Sequence, residues 1–169
     1  MANNPLNNKY VARATWDASV TTIAASGSQG PSDGVSVWIP EGALITNAYY
    51  FVTTTFTDDD AGDSSTLALG YTGATGAFVA AIAISATGTN GVAAGQWDAG
   101  IHGTLVGMGA NLGADSAHDS ALEVIALNAA TGVATTANVE LLLTTADDEA
   151  VEVGKLDLYV EYVLTGDLS

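Results

Sequence analysis

The sequence predicts an all-β protein, an antiparallel β-sandwich of jelly-roll or Greek-key type. The first observation is composition: hydrophobic residues make up 48% of the chain, but about thirty are Ala, and 19 Gly accompany them. The polar positions carry Thr, Ser, Asn and Asp, which compete with helical hydrogen bonds. The second is pattern, since short alternating runs recur about every ten to fifteen residues with no strand–helix–strand rhythm. This spacing predicts about eight or nine strands in the chain.

Length and charge limit the domain count and the class of partner. A chain of 169 residues has the size of one domain, which we place at residues 10–169. Three Lys and Arg stand against 19 Asp and Glu. Because nucleic acids and anionic membranes bind through cationic side chains, both are poor partners. The chain shows neither a spanning segment nor a secretory signal, so we expect synthesis in the cytoplasm.

The N-terminus predicts an arm followed by a strand. Residues 1–9 are polar and Asn-rich, so they cannot bury enough surface to fold alone. We expect this arm to order on a neighbouring subunit, through the candidate partner-binding residues Asn3, Asn4, Pro5, Leu6 and Tyr10. Alternation from Tyr10 to Trp16 predicts the first strand, and a second short run spans Ser19 to Ala24.

The middle of the chain contains the longest predicted strand. Residues 26–34 have loop composition, and a short strand from Val35 ends at Pro40. Residues 43–56 carry bulky side chains on both faces, which predicts a central strand. The acidic turn at residues 57–63 then predicts a hairpin with the strand at residues 66–71. The run at 78–84 fits a buried strand or a helix equally well.

The C-terminal part begins with a long Gly- and Ala-rich excursion, residues 85–120, in which we expect a short strand near Gly103–Val106. Three strands follow, at residues 121–127, 137–145 and 155–164. In the last, Leu156 and every second residue after it share one face, with Asp157, Tyr159, Glu161 and Val163 on the other.

No catalytic constellation is recognisable, and we predict a non-enzymatic protein without a cofactor. His102 and His118 match no zinc spacing, and Gly107–Gly113 lacks the register of a phosphate loop. The best metal candidate is a calcium site at Asp58, Asp60 and Asp63, because Ca²⁺ binds several oxygens of flexible loops. The alternative is a solvated turn whose charges oppose aggregation.

The three tryptophans leave two interpretations open. Trp16, Trp38 and Trp97, with the six Tyr, suit a sugar-binding platform of a β-sandwich module. They suit a protein core or an interface as well.

Four segments of the chain resemble small virion proteins of tailed bacteriophages: Ile39–Thr57, Ser65–Gly70, Gly76–Ala81 and the C-terminal strand Val153–Val163. These segments have the composition of β-strands and contain no catalytic signature. The resemblance implies a decoration or cement protein on the outer capsid surface of the virion, or a related head-fibre or tail component. It also implies a trimeric sandwich.

These considerations lead to one expected role and two main alternatives, with an enzyme, a lyase or glycosidase on a jelly roll, as a weaker third that rests on the abundance of acids alone. We expect a decoration protein that binds the major capsid protein and copies of itself, as a homotrimer, and stabilises the head. One alternative is a single jelly-roll capsid subunit. The other is a carbohydrate-binding or adhesin module that uses Trp97, Trp38 or Tyr side chains, with calcium at the Asp58–Asp63 turn.

Overall fold

The computed structural model describes residues 9–58, 65–84, 97, 99–104, 135–146 and 150–164. These residues contain nine β-strands and no helix, and therefore no helix that could cross a membrane. The strands are β1 (Tyr10–Asp17), β2 (Ser26–Gln29), β3 (Trp38–Ile39), β4 (Ala43–Asp58), β5 (Thr66–Tyr71), β6 (Ala74–Ala83), β7 (Gly100–Thr104), β8 (Val139–Ala146) and β9 (Val151–Leu164).

The strands form two antiparallel sheets. The first has the order β1-β9-β4-β7, and the second has the order β2-β8-β5-β6 with the short β3 also paired to β8. The pairing is nested: β1 pairs with β9, β2 and β3 with β8, β4 with β7, and β5 with β6. Nested antiparallel pairs folded into two sheets define a jelly roll. The predicted all-β antiparallel class is therefore confirmed.

The hydrophobic core lies between the two sheets and follows the period-2 alternation of the strands. In β1 and β9, every second side chain is buried while its neighbours are more exposed. The second sheet contributes fully buried leucines from β5 and β8. The core residues of these four strands include Ala12, Ala14, Trp16, Leu67, Leu69, Leu141, Leu143, Leu156, Leu158 and Val160.

Two buried tryptophans connect the sheets at opposite edges. Trp16 belongs to β1, and its indole N–H donates to the carbonyl oxygen of Gln29 in β2, 3.2 Å away. Trp97 packs against the rings of Tyr50 and Phe56 in β4. Its indole N–H donates to the carbonyl oxygen of Ile82 in β6 at 3.0 Å. Each indole thus satisfies its only donor across the interior, as a buried Trp requires.

Gly154 in β9 allows a close contact that no other residue could make. Its φ is 143°, and a Cβ at this position would lie 2.3 Å from the ring of Phe56. The register between β4 and β9 shifts between Thr54 and Thr57, which brings Phe56 over the glycine. Such irregularities re-aim side chains in a sheet, and here they turn an aromatic ring into the core.

The central position predicted for residues 43–56 is confirmed, because β4 lies between β9 and β7. The predicted hairpin with the next strand is wrong: β4 belongs to the first sheet and β5 to the second. The acidic residues between β4 and β5 therefore connect two strands of different sheets. The alternation of apolar and polar residues indicates which face of a strand is buried, but it does not indicate which other strand pairs with it. The sequence therefore does not distinguish a hairpin from a connection that crosses to the other sheet.

Other local expectations change in smaller ways. The loop predicted at residues 26–34 contains β2, which pairs with β8 over four residues although its side chains are largely exposed. The run Ser19–Ala24 forms only one bridge, between Ile23 and Val151. The run at 78–84 lies mostly within the strand β6, and β7 begins three residues before the predicted Gly103. The strand predicted at 121–127 lies outside the described residues.

Replacing Gly154 by Ala should lower the free energy of unfolding by about 3 kcal/mol, because the methyl group would overlap the Phe56 ring and the positive φ would be strained. Gly27→Ala is the matched control: its φ is also positive, at 118°, but nothing lies within 4 Å of the added Cβ. We expect it to cost about 1 kcal/mol. Urea unfolding measures both, and equal losses would contradict the proposed overlap.

Replacing Trp97 by Phe should destabilise the fold by about 1–3 kcal/mol, because the Ile82 carbonyl would lose its donor and the smaller ring would leave a void. Trp38 is 51% exposed, so Trp38→Phe should change stability by less than about 0.5 kcal/mol. Thermal unfolding of both variants tests the difference. If Trp97→Phe were as stable as wild type, the result would show that the indole does not link the sheets.

Candidate interaction surface

The outward side of β1 and β9 gathers every Lys and Arg of the chain. The sequence contains three such residues: Lys9 and Arg13 at β1, and Lys155 in β9. Each forms an ion pair with an acid that also faces outward. Lys9 pairs with Glu161 at 3.6 Å, Arg13 with Asp157 at 2.9 Å and Lys155 with Asp17 at 2.8 Å.

These pairs are set by strand register. β1 and β9 are antiparallel, with Arg13 opposite Tyr159 and Asp17 opposite Lys155. Residues of one parity on each strand point away from the core, so the cations and their acids share one side of the sheet. Arg13 reaches Asp157 on the diagonal, a distance that long side chains span. Thr15 donates a second hydrogen bond to the same Asp157 carboxylate.

The ion pairs shift the pKa values of their members. The hydrogen bond from Lys155, followed by those from Ser19, lowers the pKa of Asp17 below its ordinary value. The same bond to Asp17 raises the pKa of Lys155. The hydrogen bond to Asp157 raises the pKa of Arg13. All three side chains therefore stay charged throughout the neutral range.

An aromatic cluster adjoins the ion pairs. The rings of Tyr49 and Tyr159 stack with centroids 5.1 Å apart and an interplanar angle of 8°. Phe51 meets both rings edge-on, at 6.2 Å from Tyr49 and 6.0 Å from Tyr159. The guanidinium of Arg13 lies 5.7 Å from the centroid of Tyr159, within cation–π range. Arginine and aromatic groups thus form one continuous surface.

We call this surface the charge-paired face and define it as the outward side chains of β1, β9 and the middle of β4: Lys9, Val11, Arg13, Thr15, Asp17, Tyr49, Phe51, Lys155, Asp157, Tyr159 and Glu161. Its three cations balance its three acids. Elsewhere the sequence has only acidic charges, His apart. The face is thus electrically neutral on a chain of net charge -16.

Exposure on the charge-paired face is greatest along β1. Val11 is 56% exposed, and the side chains of Lys9 and Arg13 are 61% and 56% exposed. At the end of the face beyond Tyr49, Asn47 and Val163 are buried. The accessible part is therefore the β1 edge with the adjoining ion pairs.

Of the predicted arm residues, only Tyr10 is described. Its ring stacks on Tyr162, with centroids 5.5 Å apart, and it is 40% exposed. The arm residues Asn3, Asn4, Pro5 and Leu6 lie outside the described part of the chain. Lys9, which directly precedes β1, already lies on the charge-paired face, because it pairs with Glu161.

The predicted calcium site stays a prediction. Asp58 is the last residue of β4, whereas Asp60 and Asp63 lie outside the described residues. Within residues 9–58 and the other described ranges, no three acidic or His side chains are grouped to hold a metal ion. The backbone of His102 pairs with that of Tyr50. His118 and the glycine-rich stretch 107–113 are likewise outside the described ranges.

Two of the three tryptophans considered for a sugar-binding platform are not accessible to a ligand. Trp16 and Trp97 are fully buried, so Trp97 cannot stack on a ligand and the expectation for it is wrong. The core interpretation of both residues is confirmed. Trp38 is exposed and lies opposite Glu140 on the outer side of the second sheet.

The charge-paired face is not among the sites predicted from the sequence, although the sequence contains a pattern that indicates it. Lys9, Arg13 and Asp17 have one parity, and Lys155, Asp157 and Glu161 have one parity in β9. The spacing therefore indicates two charged strand faces. What the sequence does not contain is the pairing of the first strand with the last, which makes the two faces one surface.

Comparison with known proteins gives similarity at the level of structure. No family model matches the chain, and no curated protein matches it. A chain in the cyanophage Pam1 capsid asymmetric unit is similar over 93% of this chain and 85% of that chain, with 16% identity and a TM-score of 0.50. The two chains share a fold. A chain in the acidic stable capsid structure of Helicobacter pylori bacteriophage KHP30 aligns over 92% of this chain and 87% of that chain, with 14% identity and a TM-score of 0.46.

The Asp17–Lys155 pair predicts a pH-dependent contribution to stability. Because folding lowers the pKa of Asp17, the contribution is present above the unfolded-state pKa and is lost as the pH falls through the folded-state value. Wild type should therefore be more stable than Asp17→Asn near neutral pH, and the gap should close in acid. Urea unfolding across the acid range measures it.

Glu152→Gln is the control for this series, since Glu152 is an exposed acid of β9, the strand that carries Lys155, and the substitution removes the same charge as Asp17→Asn. The difference in stability from wild type that shrinks as the pH falls should be seen for Asp17→Asn and not for Glu152→Gln. An identical pH profile for both variants would show that overall charge, and not the ion pair, governs acid stability.

Proposed function

We propose that this chain is a non-enzymatic structural protein of a phage virion, a decoration protein that binds the major capsid lattice and stabilises the head. The observation that carries the proposal is the jelly roll shared with a chain of a phage capsid asymmetric unit over 93% of this chain and 85% of that one. The likeness spans most of both chains, so it concerns the whole jelly roll rather than a few of its strands.

The charge of the chain supports a position on the outer surface of the capsid. The inner surface faces the packaged genome, whose phosphates repel a protein of net charge -16. The outer surface carries no such penalty. A building block of this kind acts through shape and many copies, because repeated modest contacts on a symmetric lattice give strong attachment through effective concentration.

The jelly-roll topology also favours a second candidate, a capsid subunit that forms the shell itself. Jelly rolls are a common architecture of viral capsid proteins. The two roles differ in one measurable property: a shell-forming subunit assembles into closed particles alone, whereas a decoration protein needs a preformed lattice. Electron microscopy of the purified chain distinguishes them.

The test of the decoration role uses expanded capsids that lack this protein. We expect the purified chain to bind them to saturation and to raise their melting temperature, because a ligand that binds only the intact lattice stabilises it. Calorimetry and sedimentation measure the two effects. Failure to bind, together with equal heat resistance of capsids with and without the chain, would overturn the role.

A chain that begins at Lys9 is the matched variant for the N-terminal arm, because it keeps β1 and its ion pair with Glu161. If residues 1–8 contact a neighbour, this variant should fold normally and bind capsids more weakly. Equal binding by both chains would assign the attachment to the sandwich itself.

A further inference from the structure

We propose that the charge-paired face is the surface through which one copy of this chain binds another. The proposal goes beyond the virion role and does not depend on it. It concerns where two identical, strongly acidic molecules can touch.

Charge decides which surface is available for such a contact. Two copies each carry a net charge of -16, and like charges brought together across an interface cost several kcal/mol. All three cations of the chain lie on the charge-paired face, each already matched to an acid. Among the surfaces formed by the described residues, all the others carry acidic or uncharged side chains, His apart. Within that part of the chain, the charge-paired face alone combines charged side chains with electrical neutrality.

The side chains of the face are those that carry binding energy at protein interfaces. Tyr and Arg are enriched among residues that dominate affinity. Tyr159 is held by stacking on Tyr49, and Arg13 is held by Asp157. Because these groups are ordered before binding, little side-chain entropy remains to be lost. Val11, near the start of β1 and 56% exposed, adds apolar area that a second copy would cover.

The exposed pair Val35 and Trp38 is a weaker candidate, because it has no charge pattern that selects an occupant. The acidic residues 59–63 that follow β4 lie outside the described part of the chain and carry no proposal. The Val35–Trp38 surface does not explain why a chain with so few cations places all of them on one side of one sheet.

The test is the mass of the full chain in solution, by sedimentation at concentrations from about 1 μM to about 1 mM. Wild type should associate. Arg13→Glu should raise the dissociation constant about 10-fold or more, because it removes a central anchor and places extra negative charge on both partners. The control is the double variant Val35→Glu and Ser36→Glu, which makes the same change in net charge at two exposed positions that are not members of the face.

Salt supplies a readout that a folding defect would not share. Raising the salt from about 0.01 M to about 0.15 M should strengthen association of the wild type, because it screens repulsion between like-charged copies. It should also restore part of the association lost in Arg13→Glu. Circular dichroism checks that each variant is folded. If Arg13→Glu is not folded, Tyr159→Ser is judged by the same 10-fold criterion.

A wild-type chain that stays monomeric throughout the concentration range would overturn the proposal. So would an Arg13→Glu variant that associates as well as the control. Because no capsid is present, the outcome is independent of the virion role: a chain that self-associates but ignores capsids contradicts only the decoration proposal. A chain that binds capsids as a monomer contradicts only this one.

Discussion

The pairing of β9 with both β1 and β4 is the interaction on which the rest of the structure depends. β9 takes β1 on one side and β4 on the other, so residues separated by more than 140 positions become neighbours. This closure nests the remaining pairs inside it and forces the chain to cross repeatedly between two sheets. It also orders the bulges that bring Phe56 over Gly154. Contacts of such sequence separation carry a high entropic cost before they form, and the long ladder of β9 offsets that cost.

The same closure determines the electrostatics of the molecule. A chain with three cations cannot neutralise its surface, but it can neutralise one part of it. Pairing the first strand with the last places Lys9, Arg13 and Lys155 beside Glu161, Asp157 and Asp17. Exposed ion pairs of this kind add little to stability. Their more important consequence is one electrically neutral face, which a like-charged molecule can approach with less repulsion than the acidic remainder of the surface.

The interior shows how a chain rich in small residues builds a stable sandwich. Ala12 and Ala14 fill inward positions of β1, which leaves the volume to a few large rings. Trp16 and Trp97 supply that volume and satisfy their N–H groups across the sheets. Both indoles are therefore committed to the core, which leaves Trp38 as the exposed tryptophan.

The sequence by itself determined the strand class, the central place of residues 43–56 and the inward parity of β1 and β9, because side-chain alternation is a local property of each strand. It did not reveal β2, whose Ser and Gly residues have loop composition and are held in a strand only by pairing with β8. It misplaced β5 as a hairpin partner of β4, and it left the charge-paired face as two unrelated strand patterns. Only the tertiary structure decided these features. Strand neighbours are chosen by long-range pairing and sheet closure, and local patterns of burial and turn composition carry no information about which distant strand completes a sheet.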